Sequence, residues 1–350
     1  MSAQTEDRGP VDPQGLAGWL AREHPEFPGA FEVERLGEGQ SCLTFMVRGD
    51  GWEFILRRPP RGDLPPTAFD VTREYRVMRA LDDHGSAVPV PRPIDLCTDT
   101  SVIGANFYLM EPVPGHVIRS ELPPELEAIP ERARMGEQLL DTLVELHEVD
   151  HRAIGLEGFG KPEGYLARQL RRMNQLWELA KFRDIPDLEE VGAWLEANLP
   201  STARDAIVHG DFKLDNVIFA PQAPARLTAV VDWEMSTLGD PLADLGWLLY
   251  FWFEAGDERF GLSVATVTDL EGFPSRGEQL ERYAKATGAD VDQIGWYVAL
   301  AGWKIAIIME GSYRRFLGGV TDHPQFARLE EGVKVLARRS AQAMRGEFGI

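Results

Sequence analysis

Two periodicities divide the chain. In its first third, FEVERL, CLTFMV and WEFILRR alternate apolar and polar residues, with Gly and Asp residues at the breaks, which is typical of three short antiparallel strands. Helical spacing predicts one helix before them, in GLAGWLAREH, and another from about Thr72 to Leu81. After the connector VPVPRP, further strand-like runs end in ANFYLMEPVPG. Residues 1–112 are therefore predicted to form a small β-rich domain with one inserted helix.

The pattern changes after Pro114. Long amphipathic helices are predicted over residues 130–149, 163–183 and 185–198, and helical spacing returns from about Asp240. Between them lie the strand-like runs of IVHGDFKLDNVIFA and LTAVVDWE. The predicted fold class is α+β, with a second, mainly helical domain over residues 113–350. The length of 350 residues also suits about two domains.

Composition narrows the possible functions. The chain is 44% apolar and 26% charged, as ordinary soluble globular proteins are. Its net charge of −20 argues against a nucleic-acid partner, because phosphate backbones are bound by clusters of Lys and Arg. Cys42 and Cys97 have no CxxC spacing, so neither a zinc site nor a disulfide framework is indicated.

No membrane partner is expected. The apolar runs LGWLLYFWF and WYVALAGWKIAIIM fall short of about 18 uninterrupted apolar residues, and Lys304 breaks the second run. They are predicted to be buried core helices. The first residues contain acidic residues and proline where a signal peptide would have a basic region and an apolar core, so a cytoplasmic location is expected. The oligomeric state is not predicted.

The stretch IVHGDFKLDNVIFA is the strongest candidate for a site. A histidine, two aspartates, a lysine and an asparagine lie between two apolar runs, which predicts a short polar loop fixed at both ends by strands. Upstream, Gly37 and Gly39 in RLGEGQSCLTFMV would let backbone amides approach a phosphate, although two glycines are equally typical of an ordinary turn. Arg57 on the third strand and Glu74 on the following helix could pair, or both could be solvated.

The order of these parts is that of the protein-kinase signature set. A glycine turn, a strand cation, a helix glutamate and a linker precede HGDFKLDN, which has the kinase spacing H-x-D-x-K-x-x-N with Gly in place of the usual Arg, and DWE stands in place of DFG. The chain thus resembles the aminoglycoside phosphotransferase and choline kinase superfamily. The string DWEMSTLGDPLADLGWLL looks most like kinase domains fused to some acyl-CoA dehydrogenases. The resemblance covers roughly residues 30–320 and implies a bilobal protein-kinase-like fold.

The resemblance implies roles in phosphoryl transfer. Asp211 would be the base that orients the acceptor hydroxyl, and Lys213 would neutralise charge on the transferred phosphoryl group or lie in solvent. Asn216 and Asp232 would bind Mg²⁺ through hard oxygens. Glu234 would help to hold a second ion or a water if it lies on the same strand face as Asp232.

ATP would bind in the N-terminal domain. The residues assigned to it are Gly37, Gly39, Ser41, Arg57 and Glu74, together with Glu111 and Val113 at the hinge that would contact adenine. The kinase template has lysine where this chain has Arg57, followed by Arg58, and only one of two successive strand residues can face the nucleotide. Position favours Arg57.

Other polar residues receive supporting roles. His209 is expected to brace the loop, Asp240 to form a turn, and Asp244 to cap a helix or bond backbone amides of the loop. Arg168 and Arg172, four residues apart on one predicted helix, could receive an anionic acceptor or form a solvated face.

The predicted function is an ATP- and Mg²⁺-dependent phosphotransferase that acts on a hydroxyl of a small molecule, with a hydroxyacyl-CoA as one candidate acceptor. An aminoglycoside kinase is the alternative within the same class. A catalytically silent nucleotide-binding protein of the same fold is a second alternative, which the intact set Asp211, Asn216 and Asp232 argues against. A metal-dependent phosphohydrolase is a third, and it would need ligands richer in histidine.

Overall fold

The computed structural model describes residues 10–37, 42–60, 70–262, 264–320 and 324–350. Backbone contacts divide the chain into two compact units, residues 1–113 with 232–234 and residues 114–231 with 235–350. The first contains an antiparallel sheet and the second is mainly helical. The α+β fold class is confirmed.

A five-stranded sheet forms the centre of the first unit. Its strands are β1 (Phe31–Leu36), β2 (Leu43–Gly49), β3 (Trp52–Arg58), β4 (Pro93–Cys97) and β5 (Phe107–Met110), arranged in the order β1-β2-β3-β5-β4 with antiparallel pairing throughout. Phe45 and Val47 of β2 and Phe54 and Leu56 of β3 are buried in one core, as the two-residue period requires.

Two helices accompany this sheet. Helix α1 (Pro13–Glu23) begins at Asp12, whose carboxylate accepts hydrogen bonds from two amides of the first turn, and its Trp19 enters the core. Helix α2 (Val71–Asp83) begins at Asp70 in the same way. On α2, Glu74 is buried and accepts a hydrogen bond of 2.9 Å from the hydroxyl of Tyr108 on β5.

The second unit is built from the remaining helices. They are α3 (Ile129–Glu148), α4 (Tyr165–Ala180), α5 (Pro186–Ala197), α6 (Leu242–Phe251), α7 (Arg276–Thr287), α8 (Ile294–Leu317) and α9 (Leu329–Met344). Helix α8 packs against α4, α5, α6 and α9. It is long and apolar enough to cross a membrane, but 72% of its most apolar stretch is buried inside the protein, as in a core helix.

Two small antiparallel sheets support the polar loop. Strand β6 (Ala206–Val208) pairs with β9 (Thr237–Gly239), and β7 (Val217–Phe219) pairs with β8 (Leu227–Val230). The loop therefore begins and ends on paired strands. The premise that LTAVVDWE is a strand through its last residue is wrong. The strand ends at Val230 because Asp232 has a left-handed backbone with φ of 68°, and residues 233–235 form a short 3₁₀ helix.

A buried ion pair joins three helical segments of the second unit. Arg183, which follows α4, forms a forked pair with Glu310 of α8 at 2.9 and 2.7 Å, and Glu310 is fully buried. The same guanidinium donates to the carbonyls of Leu329 and Glu330 at the start of α9. Breaking such a pair on one side leaves an uncompensated charge in the interior.

We expect Arg183→Met to lower the free energy of unfolding by about 3 kcal/mol or more, measured by urea denaturation. Arg282→Met is the matched control, because Arg282 forms the same forked geometry with Asp141 on the surface. Loss of the exposed pair is expected to cost less than about 1 kcal/mol. Equal losses in the two variants would contradict a structural role for the Arg183–Glu310 pair.

Candidate active site

The carboxylate of Asp211 is hydrogen-bonded at both oxygens. Lys213 Nζ lies 2.6 Å from Oδ2, and Asn216 Nδ2 donates to the same oxygen at 2.7 Å. Trp247 Nε1, on α6, donates to Oδ1 at 2.8 Å. Asn216 also donates to the main-chain carbonyl of Asp211 at 2.8 Å. Four bonds from three side chains thus fix this residue in one orientation, which is the preorganisation that a base needs.

The backbone before Asp211 is held by Asp244 on α6. Its carboxylate accepts hydrogen bonds from the amides of His209 at 2.6 Å and Gly210 at 2.8 Å. The His209 ring donates from Nε2 to the Val231 carbonyl at 3.0 Å and accepts at Nδ1 from the Asp211 amide at 3.2 Å. These contacts agree with the bracing expected of His209 and with the second of the two roles expected of Asp244.

Asp240 and Asp215 support the same region. Asp240 accepts a hydrogen bond from the amide of Leu242 at 3.0 Å, which forms the expected turn, and another from the hydroxyl of Tyr297 on α8 at 2.9 Å. Asp215 is buried beside Lys213, with 3.8 Å between Oδ2 and Nζ. Burial raises the pKa of Asp215. The ammonium of Lys213 therefore lies between two carboxylates, at 2.6 and 3.8 Å.

Gly210 explains why this loop lacks the arginine of the kinase template. Its φ is 87°, which favours glycine, and a Cβ there would lie 2.8 Å from both Cβ and O of Met235. No side chain fits without displacing that backbone. The sequence HGD is therefore a steric requirement of this loop.

In the first unit, Arg57 is surrounded by acidic side chains. Its Nε lies 2.7 Å from Glu74 Oε2, its Nη2 contacts Asp232 Oδ1, and Glu234 Oε2 lies 3.9 Å away. Burial alone would lower the pKa of Arg57, but Glu74 and the other acidic neighbours outweigh it and hold that pKa well above its usual value. Although Asp232 and Glu234 are not on a strand, both approach one guanidinium.

Arg58 takes a different environment from Arg57. It is buried and donates to the carbonyls of Pro10, Pro59 and Ile103. Successive strand residues face opposite sides, so only Arg57 of the two meets Glu74 and Asp232.

The structure says less about the other residues that were predicted to bind the nucleotide. Gly37 has φ of 68°, whereas Gly39 and Ser41 lie outside the described residues. Glu111, just after β5, is exposed and pairs with Arg92 at 3.0 Å, and its amide donates to the Arg92 carbonyl. Val113 is half-buried.

The arginines of α4 have separate environments. Arg168 donates to the carbonyls of Lys161 and Glu163 in the preceding loop, so its guanidinium stabilises that loop. Arg172 is exposed and close enough to Lys304 on α8 to lower the pKa of that lysine. The donors of Arg168 are therefore used by the loop, whereas Arg172 makes no such backbone contact in the described residues.

Sequence reasoning missed Trp247 and Lys304. Trp247 follows Asp244 by three residues on α6, and residues three apart share a helix face, so the role of Asp244 as a loop anchor could have pointed to it. In the sequence Lys304 stands out only as a break in an apolar run. A lone charge in a predicted core helix is itself a signal, because such a charge is costly to bury.

A kinase-like fold with an oriented loop carboxylate and an arginine–glutamate pair defines a small-molecule phosphotransferase of the kinase-like class. Residues 32–292 match the family model described as the phosphotransferase enzyme family. The chain belongs to this family, and the resemblance predicted from the motif is confirmed.

Curated relatives of the chain are named as acyl-CoA dehydrogenases. The chain is 36% identical over 341 residues to acyl-CoA dehydrogenase family member 11 of Gallus gallus, which covers 95% of this chain and 43% of the relative. It is also 36% identical over 315 residues to acyl-CoA dehydrogenase family member 10 of Mus musculus, covering 88% of this chain and 29% of the relative. The chain thus spans less than half the length of these relatives.

Solved structures share the fold. A Ralstonia eutropha protein provisionally assigned as an aminoglycoside phosphotransferase is 32% identical, with a TM-score of 0.79 and coverage of 95% of this chain and 98% of that one. The GDP complex of aminoglycoside 2′-phosphotransferase-IIIa has a TM-score of 0.61 at 15% identity, covering 95% and 99%. The second likeness is one of fold alone.

We expect Gly210→Ala to lower the transfer rate by at least about 10-fold, because a Cβ contact under 3 Å and strained backbone would displace Asp211. Steady-state ADP release measures this. Gly277→Ala in α7 is the control, since an added Cβ there meets no described atom within 4 Å beyond its chain neighbours and its own helix backbone, and helix propensity favours alanine. Wild-type activity in the Gly210→Ala variant would contradict the steric requirement.

Proposed function

We propose that this protein transfers the γ-phosphoryl group of ATP, with Mg²⁺, to a hydroxyl of a small-molecule acceptor. The observation that carries the proposal is the Asp211 carboxylate, held at both oxygens by Lys213, Asn216 and Trp247. The arrangement supports a base that orients an incoming hydroxyl.

The chemistry balances without a further reactant. The acceptor oxygen forms a bond to the γ-phosphorus while the bond from that phosphorus to the β–γ bridging oxygen breaks, and ADP leaves with the electron pair. The hydroxyl proton passes to Asp211. Lys213, which lies beside Asp211, is positioned to offset negative charge as the phosphoryl group moves.

The chemistry of the donor set fits Mg²⁺. Asn216 donates from Nδ2 to Asp211, and within the described residues its amide oxygen accepts no hydrogen bond. Asp232 contacts Arg57 through Oδ1, which leaves Oδ2 as a second hard oxygen. Asn216 and Asp232 would hold the ion, with Glu234 as a further carboxylate. When bound, Mg²⁺ neutralises charge on the phosphates.

Nucleotide binding is proposed for the first unit. Arg57 would bind phosphate oxygens and Glu74 would orient it, as the 2.7 Å contact between them supports. Gly37 and Gly39 with Ser41 would cover the phosphates through backbone amides, and the backbone around Glu111 and Val113 would meet adenine. Arginine in place of lysine offers a forked contact to phosphate.

For the acceptor, we propose a hydroxyacyl-CoA thioester. The relatives at 36% identity are named acyl-CoA dehydrogenases, and a domain joined to such an enzyme would act on a related compound. Arg172, exposed on α4, supplies a cation for an anionic acceptor, whereas the bonds of Arg168 to backbone carbonyls weaken its proposed part in acceptor binding. An aminoglycoside would instead need carboxylates around its amines.

The test is incubation with Mg²⁺-ATP and two panels, hydroxyacyl-CoA thioesters with the hydroxyl on successive carbons and aminoglycosides, with ADP release and product mass as readouts. Asp211→Asn is expected to bind ATP normally and to lose on the order of 10² to 10⁴ in rate. Phosphorylation of aminoglycosides but of no thioester would contradict the proposed hydroxyacyl-CoA acceptor. A transfer rate within about 3-fold of wild type in the Asp211→Asn variant would contradict the assignment of Asp211 as the base, since removal of a general base usually costs far more.

Asp232→Ala is expected to remove the Mg²⁺-dependent part of ATP affinity, because it deletes a hard oxygen ligand. Calorimetric titration of ATP with and without Mg²⁺ measures this difference. Asp292→Ala is the control, since Asp292 is exposed after α7. Magnesium dependence equal to that of wild type in the Asp232→Ala variant would contradict the metal assignment.

A further inference from the structure

Lys304 is a buried cation in the middle of α8. It is 7% exposed and forms no hydrogen bond or ion pair with any residue that the structure describes. Charged side chains are rarely buried without a counter-ion. Its neighbours Trp303 and Ala306 are core residues, so the lysine occupies a position where an apolar residue would serve the fold better.

The surroundings of Lys304 lead to Asp211. Its Nζ lies 5.2 Å from the ring centroid of Trp247, and the Nε1 of that indole donates to Asp211 Oδ1 at 2.8 Å. One indole ring therefore separates the ammonium from the candidate base. A cation over an indole face is stabilised in part, but the indole offers no acceptor for the three N–H groups of a lysine.

Nearby carboxylates compensate the charge of the ammonium only in part. Burial lowers the pKa of Lys304 from 10.5 to about 8, Asp244 and Asp211 act against this change, and Arg172 adds to it. The two carboxylates are already engaged, Asp244 with loop amides and Asp211 with its three donors. Lys304 is therefore a cation near the candidate base, and Arg172, from a different helix, is close enough to lower its pKa further.

We propose that Lys304 determines acceptor specificity by donating a hydrogen bond to a carboxyl-derived oxygen of the acceptor, a few bonds from the hydroxyl that Asp211 orients. This inference rests on the proposed function, because it assumes that Asp211 meets the acceptor hydroxyl. Two kinds of acceptor offer such an oxygen, the carboxylate of a free hydroxy acid and the thioester carbonyl of a hydroxyacyl-CoA. A cationic acceptor would be repelled at the same position.

The role predicts a defined kinetic signature. Lys304→Met approximately keeps the length of the side chain and removes the donor, so the KM for the acceptor should rise roughly 10- to 100-fold, the loss typical of a hydrogen bond to a charged group. The KM for ATP should stay within a factor of about 2, because Lys304 serves only the acceptor. Lys304→Arg should recover part of the acceptor affinity.

The pH dependence separates this role from a packing role. In the wild type, kcat/KM for the acceptor should fall above about pH 8, as Lys304 loses its proton. In the Lys304→Arg variant this fall should move to higher pH, since arginine stays charged. Lys285→Met, which replaces an exposed lysine of α7, is the control and should match the wild type in every respect.

Thermal unfolding provides a second test of Lys304 that does not depend on enzyme turnover. Because the folded-state pKa of Lys304 lies below its unfolded value, the charged lysine destabilises the fold fully below about pH 8, and this penalty fades as the pH approaches 10.5. The Lys304→Met variant should therefore melt above the wild type at pH 7, with a difference that shrinks as the pH rises. A free hydroxy acid should raise the melting temperature of the wild type more than that of the variant.

The outcomes are distinguishable. Turnover by the wild type with an unchanged acceptor KM in Lys304→Met would overturn the role of Lys304 and leave the proposed function standing. Absence of turnover with every acceptor would overturn the proposed function, and the thermal arm would then decide on Lys304. A Lys304→Met variant that melts below the wild type and responds equally to the hydroxy acid would show that the lysine serves only packing. A preference of the wild type for the free hydroxy acid or for the thioester shows whether Lys304 binds a carboxylate oxygen or a thioester carbonyl oxygen.

Discussion

The site of the second unit depends on the contact between Asp244 and the amides of His209 and Gly210. A loop of this kind exposes donors that no strand partner satisfies, and a buried unsatisfied amide costs on the order of 1–3 kcal/mol. Asp244 satisfies two of them from the first turn of α6. The same helix carries Trp247, which bonds Asp211. One helix thus fixes the loop backbone and the loop carboxylate together.

Much of the fold could be predicted from the sequence because its signals are local. The two-residue period of FEVERL, CLTFMV and WEFILRR predicts strands within a residue or two of β1, β2 and β3. The helical period predicts α3 and α5 in the same way, whereas the predicted helix 163–183 runs three residues past the end of α4 at Ala180. The paired apolar runs around HGDFKLDN mark strands β6 and β7. These patterns predict the elements well because one face of each strand or helix meets the core and the other meets solvent, so the apolar residues recur with the period of the element.

What the sequence could not supply depends on distance along the chain and on backbone geometry. Nothing in LTAVVDWE indicates that Asp232 leaves the strand in a left-handed conformation. The sequence also does not indicate that Arg168 donates to the carbonyls of residues 161 and 163. These carbonyls lie just before α4, whose N-cap residue, Gly164, has no side chain that could form a hydrogen bond. Trp247 bonds Asp211 from 36 positions away, and Lys304 is close enough to Asp211 to interact with it electrostatically. Local patterns can mark such residues as unusual, but they do not encode which part of the loop each one approaches.

Helix α8 packs against four other helices of the second unit and also carries a charge close to the candidate base. Enzymes commonly vary their preferences through surface loops, where replacements cost the fold little. Here residue 304 is flanked by Trp303 and lies one turn from Leu300 and Ile307, so few side chains could take its place without repacking the interior. Divergence at this position is thereby tied to the packing of the helical unit. An apolar replacement would stabilise the fold and lose the proposed donor, whereas an acidic replacement would first need surplus stability to draw upon.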